Sequence, residues 1–439
     1  MTIRSMETST DQRTLPANYR RNFWCLAMDF GFFGVGMAFF GPTTVIPSFF
    51  TALGASATII GLLSTLQRAG WLLPQLFAAR YLADKPYKKP YIVVPAATSR
   101  ALLMGLVALI WTTGPQAHGL VITLSTLLMA VFWIGDGLGS VAWFDFLSKS
   151  VPPHRRGRLT SVGQILAGVL SFAAGFGVEW MLSDAGPAFP TNYAGLLALA
   201  FLMLTASLTA IMMTRENKGV TAATVPSWRD YIPQLWRVLR YDHSFRRYLI
   251  TRQVFGLSGL AVPFYMTYAL DELHLPAQVA GRYTSIGVVG GIIAAAFFGW
   301  ANERYGTRRA SQVSIWLTAA IPVLALSIPR IMPEPGQLAW GYSLVFLAMQ
   351  ASNSCFLPAW VSYVLEWAPE AELPLYIGLT NSINGITALF STLGGLLLQW
   401  SNGNYPLLFA VTAIGTLLAL PFSIGLPEPR EVVKASVLT

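Results

Sequence analysis

The stretch FFGWANERYGTRRA, residues 297–310, ends a long apolar segment in a short charged turn. The apolar residues stop at Asn302, and charged residues and glycine follow at once. A related turn, LFAARYLADKPYKKP at residues 76–90, ends another apolar segment much earlier in the chain. A single copy would be consistent with an ordinary solvated helix end. Two copies suggest that the chain consists of two comparable halves.

The composition is that of a membrane protein. The 439-residue chain is 54% hydrophobic and 11% charged, and its mean hydropathy is +0.53. Soluble globular proteins contain about 25% charged residues, so this chain has too little polar surface for a water-soluble body. Apolar stretches of about 20 residues, the length that crosses a bilayer, recur along the chain. We therefore expect the lipid bilayer to be its main partner.

Twelve apolar stretches are long enough to be membrane helices, and we number them as spans 1 to 12. Glycine and proline are frequent inside them, which membrane helices tolerate because neighbouring helices satisfy the freed backbone groups. The predicted spans are residues 22–49, 56–80, 91–112, 119–148, 159–182, 192–213, 247–270, 278–301, 310–329, 338–366, 375–400 and 404–426.

The basic residues indicate the orientation of these spans. They stand in both terminal segments and in the second, fourth, sixth and eighth connections, whereas the opposite connections carry only Arg330. Basic residues mark cytoplasmic loops, so both termini are expected in the cytoplasm, with the protein in a plasma or inner membrane. The net charge of +9 is thereby explained by topology, and no nucleic-acid partner is predicted.

No residue pattern indicates an enzyme, a metal or a cofactor. Cys25 and Cys355 both lie in apolar stretches, and the four histidines lack the spacing of metal ligands. The sequence contains no phosphate-binding loop of the Walker type. GLSG, residues 256–259, matches a motif of intramembrane serine proteases, but no histidine lies at membrane depth to activate the serine. We therefore predict a protein that is not an enzyme.

The chain is expected to divide at its one long polar connection. The predicted units are a cytoplasmic tail, a six-helix bundle, a cytoplasmic connection, a second six-helix bundle and a second cytoplasmic tail, at residues 1–21, 22–213, 214–246, 247–426 and 427–439. In the connection, SWRDYIPQLWRVLR mixes aromatic with basic residues. This pattern predicts an amphipathic helix on the inner membrane surface, and a solvated linker is the alternative.

Three pairs of segments recur in the same order and at nearly constant spacing. They are residues 21–34 with 246–259, 61–70 with 281–290, and 133–143 with 350–360. Six spans is an even number, so the two halves enter the membrane in the same direction. The predicted fold is an all-α membrane protein of twelve transmembrane helices in two pseudo-symmetric six-helix bundles. Transporters with such repeats bind their solute at the midplane, between the repeats.

The charged turn resembles the signature motif of the major facilitator superfamily, abbreviated MFS. That motif consists of a glycine, three residues, an acid, an arginine, any residue, a glycine, any residue and basic residues. It is filled here by Gly299, Glu303, Arg304, Gly306, Arg308 and Arg309. The first-half copy matches only in part, since Asp84 and Lys85 fit whereas Arg80 and Tyr87 replace the two glycines.

The resemblance implies a transporter that works by alternating access. It also implies that the charges of the two turns latch the cytoplasmic ends together when the protein is open to the outside. Two features depart from common family patterns. Trp133 and Asp136 stand where many members carry arginine and glutamine, and span 5 lacks the glycine–proline kink of drug–proton antiporters. The sequence signature of proton-driven efflux is therefore missing.

Charged residues inside the spans are candidates for function. They include Asp29, Arg68, Asp136 and Arg252. A charge near the centre of a membrane helix costs about 2.5–3.5 kcal/mol on insertion scales, so such residues are functional candidates by default. Helical spacing places Asp136 on one face of span 4 together with Trp133, Ser140 and Trp143. The matching positions of span 10 are Gln350, Asn353, Leu357 and Trp360.

The superfamily resemblance implies that spans 1, 4, 7 and 10 line a central cavity. Asp136 and Asn353 are then expected to face each other across it, and the alternative is that Asp136 pairs with Arg68 inside the first bundle. Asp29 either serves the transport path or pairs with Arg252 or Arg80. Further polar contacts to the cavity are predicted for Gln253, Tyr265, Tyr268, Asn381 and Asn384, although asparagine and glutamine also hold membrane helices together.

The sequence thus predicts a secondary transporter for a small organic solute. Burial favours a protonated carboxyl group and a nearby arginine favours the carboxylate, so Asp29 or Asp136 is a candidate site for proton coupling. Cavity residues of both charges and many aromatic rings suggest an amphipathic or zwitterionic solute. A sensor that kept the fold without transporting is the alternative. A monomer is expected by analogy, and the solute and the direction of transport stay open.

Overall fold

The computed structural model describes residues 18–82, 84–113, 118–216, 218, 228–369 and 372–431. Throughout these segments the regular structure is helical and contains no strand, so the predicted fold class is confirmed. Most of the two predicted tails lies outside the described residues.

The first half contains six membrane-length spans in the predicted order. Span 1 consists of the helices Tyr19–Phe40 and Val45–Ala52, and span 2 is Ala57–Leu82. Spans 3 to 6 are Lys89–Thr113, His118–Ser150, Pro153–Met181 and Thr191–Met213.

The second half repeats this arrangement with more interruptions. Span 7 consists of His243–Phe255, a 3-10 segment Gly256–Leu260 and Phe264–Asp271. Spans 8 and 9 are the continuous helices Val279–Tyr305 and Thr307–Ile331. Span 10 consists of Pro335–Gly341, Ser343–Ser354, a π-helical segment Phe356–Val361 and Ser362–Trp367. Span 11 is Leu373–Thr387 and Phe390–Trp400, and span 12 is Tyr405–Leu417 and Ala419–Ile424. Irregular backbone at membrane depth is tolerated where protein or a cavity surrounds it.

The outer surface of the helices suits a bilayer. Among the described residues, nine helices are long and apolar enough to cross a membrane, and they correspond to every span except 2, 7 and 11. Large apolar side chains such as Phe77, Trp111, Ile165 and Trp400 are exposed. An exposed apolar surface this extensive is expected where lipid replaces water.

The helix Trp228–Tyr241 precedes span 7, within the connection where the sequence predicts an amphipathic helix. Arg237 of this helix pairs with Glu372 at 2.6 Å, next to the start of span 11. Its position on the membrane surface remains a prediction.

In each half of the molecule, a glutamate caps the start of one helix at the same end of the bundle. We call this the basic end, because Lys85, Lys149, Arg308 and Arg430 lie there. In the first half, the Glu216 carboxylate accepts hydrogen bonds from the first backbone N–H groups of span 3. In the second half, Glu428 accepts them from the start of span 9. A carboxylate at a helix N-terminus is favoured by the helix dipole and by the unpaired N–H groups there.

At the end of the molecule opposite the basic end, hydrogen bonds and an ion pair join the two halves. Hydrogen bonds join Thr44 to Thr284 at 3.0 Å and Thr58 to Gln399 at 2.6 Å. An ion pair of 2.7 Å joins Arg282 of span 8 to Glu179 of span 5. Spans 5 and 8 also touch through their backbones.

This contact depends on a glycine. A side chain at Gly281 would overlap the backbone of Gly175 and Glu179, so close helix approach requires glycine at this position. The two halves are therefore packed directly against each other through spans 5 and 8.

Candidate functional site: two charged cavities

The first cavity lies between the two bundles, and we call it the central cavity. Its volume is about 370 Å³, and spans 1, 2, 7, 9, 10 and 11 line it. Several residues singled out from the sequence meet on its wall, namely Arg68, Arg252, Tyr265, Gln350, Asn353, Trp360, Asn381 and Asn384.

Arg252 is held on this wall by aromatic rings. Its guanidinium carbon lies 5.2 Å from the ring centres of Phe255 and Phe356, and 5.1 Å from that of Trp360. Such cation–π contacts are strongest where water is excluded. Trp360 is itself fixed, since its Nε1 donates a hydrogen bond to Ser314 Oγ at 3.1 Å. Arg252 is thus presented to the cavity in a defined position.

Among the described residues, no carboxylate forms an ion pair with Arg252. Its Nε is buried and has no hydrogen-bond partner among the described residues. The carboxylate Asp29, which the sequence offered as a partner, lies elsewhere and is bound to other groups. The predicted pairing of Asp29 with Arg252 is therefore wrong.

Arg68 enters the same cavity from span 2, in the other half of the molecule. It reaches toward span 7, because a methyl group placed on Gly259 would lie 3.7 Å from Arg68 Nη1. Of the lining residues, Arg68 and Arg252 carry charge, and neither aspartate nor glutamate occurs among those that the structure describes. The central cavity is therefore cationic, whereas the sequence suggested a cavity with charges of both signs.

The second cavity lies inside the first bundle, and we call it the N-bundle cavity. Its volume is about 220 Å³, and spans 1, 2, 3, 4 and 6 line it. Asp29 is buried on its wall, where Oδ1 accepts a hydrogen bond of 2.6 Å from Ser207 Oγ. Its Oδ2 accepts one of 2.8 Å from Trp143 Nε1. Both oxygens of this carboxylate are thus bound by neutral donors.

Asp136 also lines the N-bundle cavity, together with Ser140 and Trp143. This position contradicts both expectations for Asp136. It does not face Asn353 across the central cavity, and it is not paired with Arg68. The reason is the rotation of span 4, which turns this face inward toward spans 1 and 3. Ser140 Oγ donates to the Gly137 carbonyl at 2.8 Å, which fixes its side chain on that face.

Trp133 is separated from the other three residues of the predicted face. Its side chain is buried against the rings of Phe40 and Phe132, at centroid distances of 5.7 and 5.2 Å. A large side chain one turn earlier on span 4 can pack between helices while Asp136 faces a cavity. The structure places Ser140 and Trp143 on the N-bundle cavity instead of the central cavity, and a role of Trp133 in solute binding stays a prediction.

Arg100 of span 3 is the functional residue that the sequence reasoning missed. It is buried on the wall of the N-bundle cavity, within electrostatic range of both Asp29 and Asp136. Its Nη1 also donates to the Ala96 carbonyl at 3.3 Å. The signal was available, because Arg100 stands near the middle of a predicted span, and the rule that selected Arg68 selects it equally.

Trp71 forms part of the wall of both cavities. It stands three residues after Arg68 on span 2, about one helical turn away. The Trp71 side chain is therefore shared by the N-bundle and central cavities.

Two predicted cavity residues lie off the described central-cavity wall. Gln253 Nε2 is 3.4 Å from Asn384 Oδ1, a long hydrogen bond beside the cavity. Tyr268 packs in the second bundle against Tyr405 and Phe409, with both ring centroids at 5.2 Å. Its large ring is part of the hydrophobic core there, and a contact of Tyr268 with the solute stays a prediction.

The two motif turns differ in structure. In the first turn Asp84 pairs with its neighbour Lys85 at 3.1 Å, and this hydrogen bond raises the pKa of Lys85. In the second turn Gly306 has a φ of 86°, and a side chain there would overlap the Glu428 carboxylate. Glycine is therefore required at the second turn.

The remaining motif residues surround the second turn. The Glu303 carbonyl accepts a hydrogen bond from Arg430 at 3.2 Å, and Arg304 lies over the ring of Tyr305. Arg308 Nη1 donates to the Leu426 carbonyl at 3.3 Å. Gly299 has open space around it, and Arg309 is exposed. The predicted role of these charges as a latch stays a prediction.

Comparisons with known proteins agree with this architecture. Residues 248–437 match the family model described as Major Facilitator Superfamily. The uncharacterized protein Rv2209 of Mycobacterium tuberculosis is 25% identical over 377 residues, which cover 81% of this chain and 71% of that protein.

Solved structures share the fold along nearly the whole chain. A D-xylose–proton symporter matches with a TM-score of 0.67 and 14% identity, over 94% of this chain and 99% of its own. A mutant of the nucleoside transporter NupG also matches with a TM-score of 0.67 and 14% identity, over 91% of this chain and 98% of its own. The chain therefore has the fold of the major facilitator superfamily, and its second half carries the sequence pattern of that superfamily. The resemblance predicted from the charged turn is confirmed.

Proposed function

We propose that this protein is a secondary transporter that moves a small organic solute through the central cavity by alternating access. The observation that carries the proposal is a polar cavity between two pseudo-symmetric bundles, fastened to each other toward one end. The structural neighbours that match most of the chain are a nucleoside transporter and a D-xylose–proton symporter, which supports transport. The comparisons give no support to the alternative of a sensor.

The state of the molecule follows from its orientation. The basic end is the cytoplasmic end by the distribution of lysine and arginine, so the fastened end faces outward. The hydrogen bonds Thr44–Thr284 and Thr58–Gln399 then belong to a closed outer gate. In the outward-open state these contacts must break, and the two motif turns are proposed to hold the cytoplasmic ends together instead.

Proton coupling is proposed for the N-bundle cavity. Asp136 faces this cavity, and no hydrogen bond to its carboxylate is found among the described residues, whereas both oxygens of Asp29 are occupied. A carboxyl group without fixed donors is the easier one to protonate, and Arg100 favours its charged form. We therefore propose Asp136 as the group that exchanges the proton and Asp29 as the group that positions Trp143.

Transport is tested by measuring solute flux in a variant whose outer gate can be closed by a disulfide bond. The native Cys25 and Cys355 are replaced by serine, and Thr58→Cys with Gln399→Cys are introduced for a disulfide across the outer gate. A thermal-shift screen of metabolites and drugs first finds ligands, because a ligand that binds the folded state raises its stability. The hits are then used in counterflow assays in liposomes.

We expect saturable counterflow of a hit in the reduced protein, arrest after oxidation and recovery after reduction. The matched control is the single variant Thr58→Cys, whose flux oxidation leaves unchanged. A ligand that binds but shows no flux in the reduced protein would contradict transport and favour the sensor.

A further inference from the structure

The two arginines of the central cavity are the strongest unexplained feature of the molecule. Arg68 and Arg252 bring positive charge to membrane depth without a carboxylate on the described wall. An uncompensated charge is costly in such a place, and charged residues there face cavities and pair with other groups. We propose that the missing partner is the solute, an organic anion whose carboxylate or phosphate binds between Arg68 and Arg252.

This inference deepens the proposed function, since it rests on transport through the same cavity and assigns the chemical class of the solute. A zwitterion fits less well, because its cationic group would find no carboxylate on the described wall.

Arg252 is prepared to bind an anion. Three aromatic rings hold its guanidinium, and its buried Nε donor has no partner among the described residues. A guanidinium presents its N–H groups as a planar fork that matches a carboxylate or phosphate. Because the rings already fix the side chain, little conformational entropy is lost when the anion binds.

Arg68 gives the anion a partner from the other half. It projects from span 2 toward Gly259 of span 7, so an anion shared with Arg252 bridges the two bundles. Two arginines that face one cavity repel each other, and a bound anion removes this repulsion. The loaded cavity can then close at the basic end more readily than the empty one, which couples binding to the change of state.

The rest of the cavity suggests what the anion carries. Gln350, Asn353 and Asn384 offer amide groups that can bind hydroxyl or carbonyl oxygens. Trp71 and Phe356 offer apolar surface. The volume of about 370 Å³ is in the usual range for small-molecule sites. The solute is therefore expected to be a small organic molecule with polar groups besides its anionic one.

The test compares each anion with a neutral counterpart, which is an amide of similar shape for the carboxylates and the parent alcohol for the phosphate ester. Thermal stability of the full-length protein is measured with phenylacetate and phenylacetamide, succinate and succinamide, and glycerol 3-phosphate and glycerol. We expect at least one anion to raise the melting temperature while its neutral counterpart does not. If only the carboxylates stabilise the protein, the site binds a carboxylate group. If only glycerol 3-phosphate does, the site binds a phosphate group.

The arginines are then substituted. Arg68→Gln and Arg252→Gln should each weaken binding of the active anion at least about tenfold, because a buried charged hydrogen bond loses one partner. Arg330→Gln is the matched control and should bind as wild type, since Arg330 lies at the end of span 9, outside the described central-cavity wall, and donates a hydrogen bond to the Leu326 carbonyl. If a glutamine variant does not fold, Arg68→Lys or Arg252→Lys replaces it. Lysine keeps the positive charge but lacks the planar fork of the guanidinium, so anion binding should still weaken.

The outcomes separate this inference from transport itself. Neutral partners that bind as tightly as the anions, arginine variants that bind normally, or no stabilisation by any anion of the panel would each overturn the anion site. Anion binding that depends on both arginines but gives no counterflow would support the site and contradict transport. Counterflow of a neutral solute, unaffected by Arg252→Gln, would support transport and contradict the anion site.

Discussion

The two cavities differ in how their charges are balanced. In the N-bundle cavity, Arg100 lies within reach of Asp29 and Asp136, and neutral donors occupy Asp29. In the central cavity, Arg68 and Arg252 find no carboxylate on the described wall. One arginine beside two carboxyl groups is neutral only when one of them carries a proton, which suits the proposed proton exchange. Two arginines between the bundles, without a carboxylate on the described wall, suit the proposed anionic solute.

The largest expected effect tests this difference directly. Arg100→Gln removes the cation within electrostatic range of two buried carboxyl groups and should destabilise the protein by up to about 3 kcal/mol, the cost of leaving a buried charge without its partner. The same substitution at Arg252 removes a charge without a counter-ion, so the ligand-free protein should lose little stability. Thermal melting in detergent checks both variants at one pH. Equal destabilisation by Arg100→Gln and Arg252→Gln would contradict the proposed difference between the two cavities.

A second effect concerns the wall between the cavities. Trp71→Ala should join the N-bundle and central cavities and uncouple proton movement from solute movement, because the shared wall is lost. We expect solute counterflow to continue while accumulation driven by a pH gradient disappears. Phe356→Ala, which alters only the central cavity, is the control and should preserve the response to pH in whatever flux remains. Accumulation that survives Trp71→Ala would show that another route couples the cavities.

The third effect separates the two carboxylates. Asp136→Asn should abolish the dependence of flux on the pH gradient and keep counterflow, because the group that exchanges the proton is replaced by one that cannot. Asp29→Asn should retain part of the pH response, since its role is to hold Trp143. Flux of each variant is measured between pH 6 and pH 8. A normal pH response in Asp136→Asn would exclude it as the coupling site.

The smallest effect probes the fixed donors of Asp29. Ser207→Ala removes one hydrogen bond to the buried carboxylate and should cost about 1.5–3 kcal/mol, the range for a hydrogen bond to a charged group. Ser140→Ala is the matched control in the same cavity, because its hydroxyl donates to a backbone carbonyl instead. Equal melting temperatures for the two variants would contradict the proposed role of Asp29.

Much of the fold could be read from the sequence because hydropathy and repetition are properties of whole segments. The twelve spans, the repeat of span 1 in span 7 and the basic end all follow from patterns many residues long, whereas the interruption of span 7 was not predicted. The shared caps by Glu216 and Glu428 could not be found this way, since each depends on one carboxylate reaching the start of another helix.

The candidate site was predictable only in part. The rule that charges in membrane helices are functional selected Asp29, Arg68, Asp136 and Arg252, and all four line one of the two cavities. Their division between the cavities could not be predicted, because it depends on the rotation of span 4 about its own axis. A periodic face shows which residues point together, but it does not show which neighbour they point toward.

The most direct test of the account is a pair of distances measured in one protein. Spin labels at Thr58→Cys and Gln399→Cys report on the outer gate, and labels at Tyr81→Cys and Ile377→Cys report on the basic-end parts of spans 2 and 11. Labels at Thr58→Cys and Gly119→Cys, both in the first bundle, are the control.

We predict that an anion that binds the central cavity shifts the two inter-bundle distances in opposite directions and leaves the control distance unchanged. Arg252→Gln should abolish both shifts. Distances that do not change with any bound ligand, or that change together at both ends, would contradict alternating access.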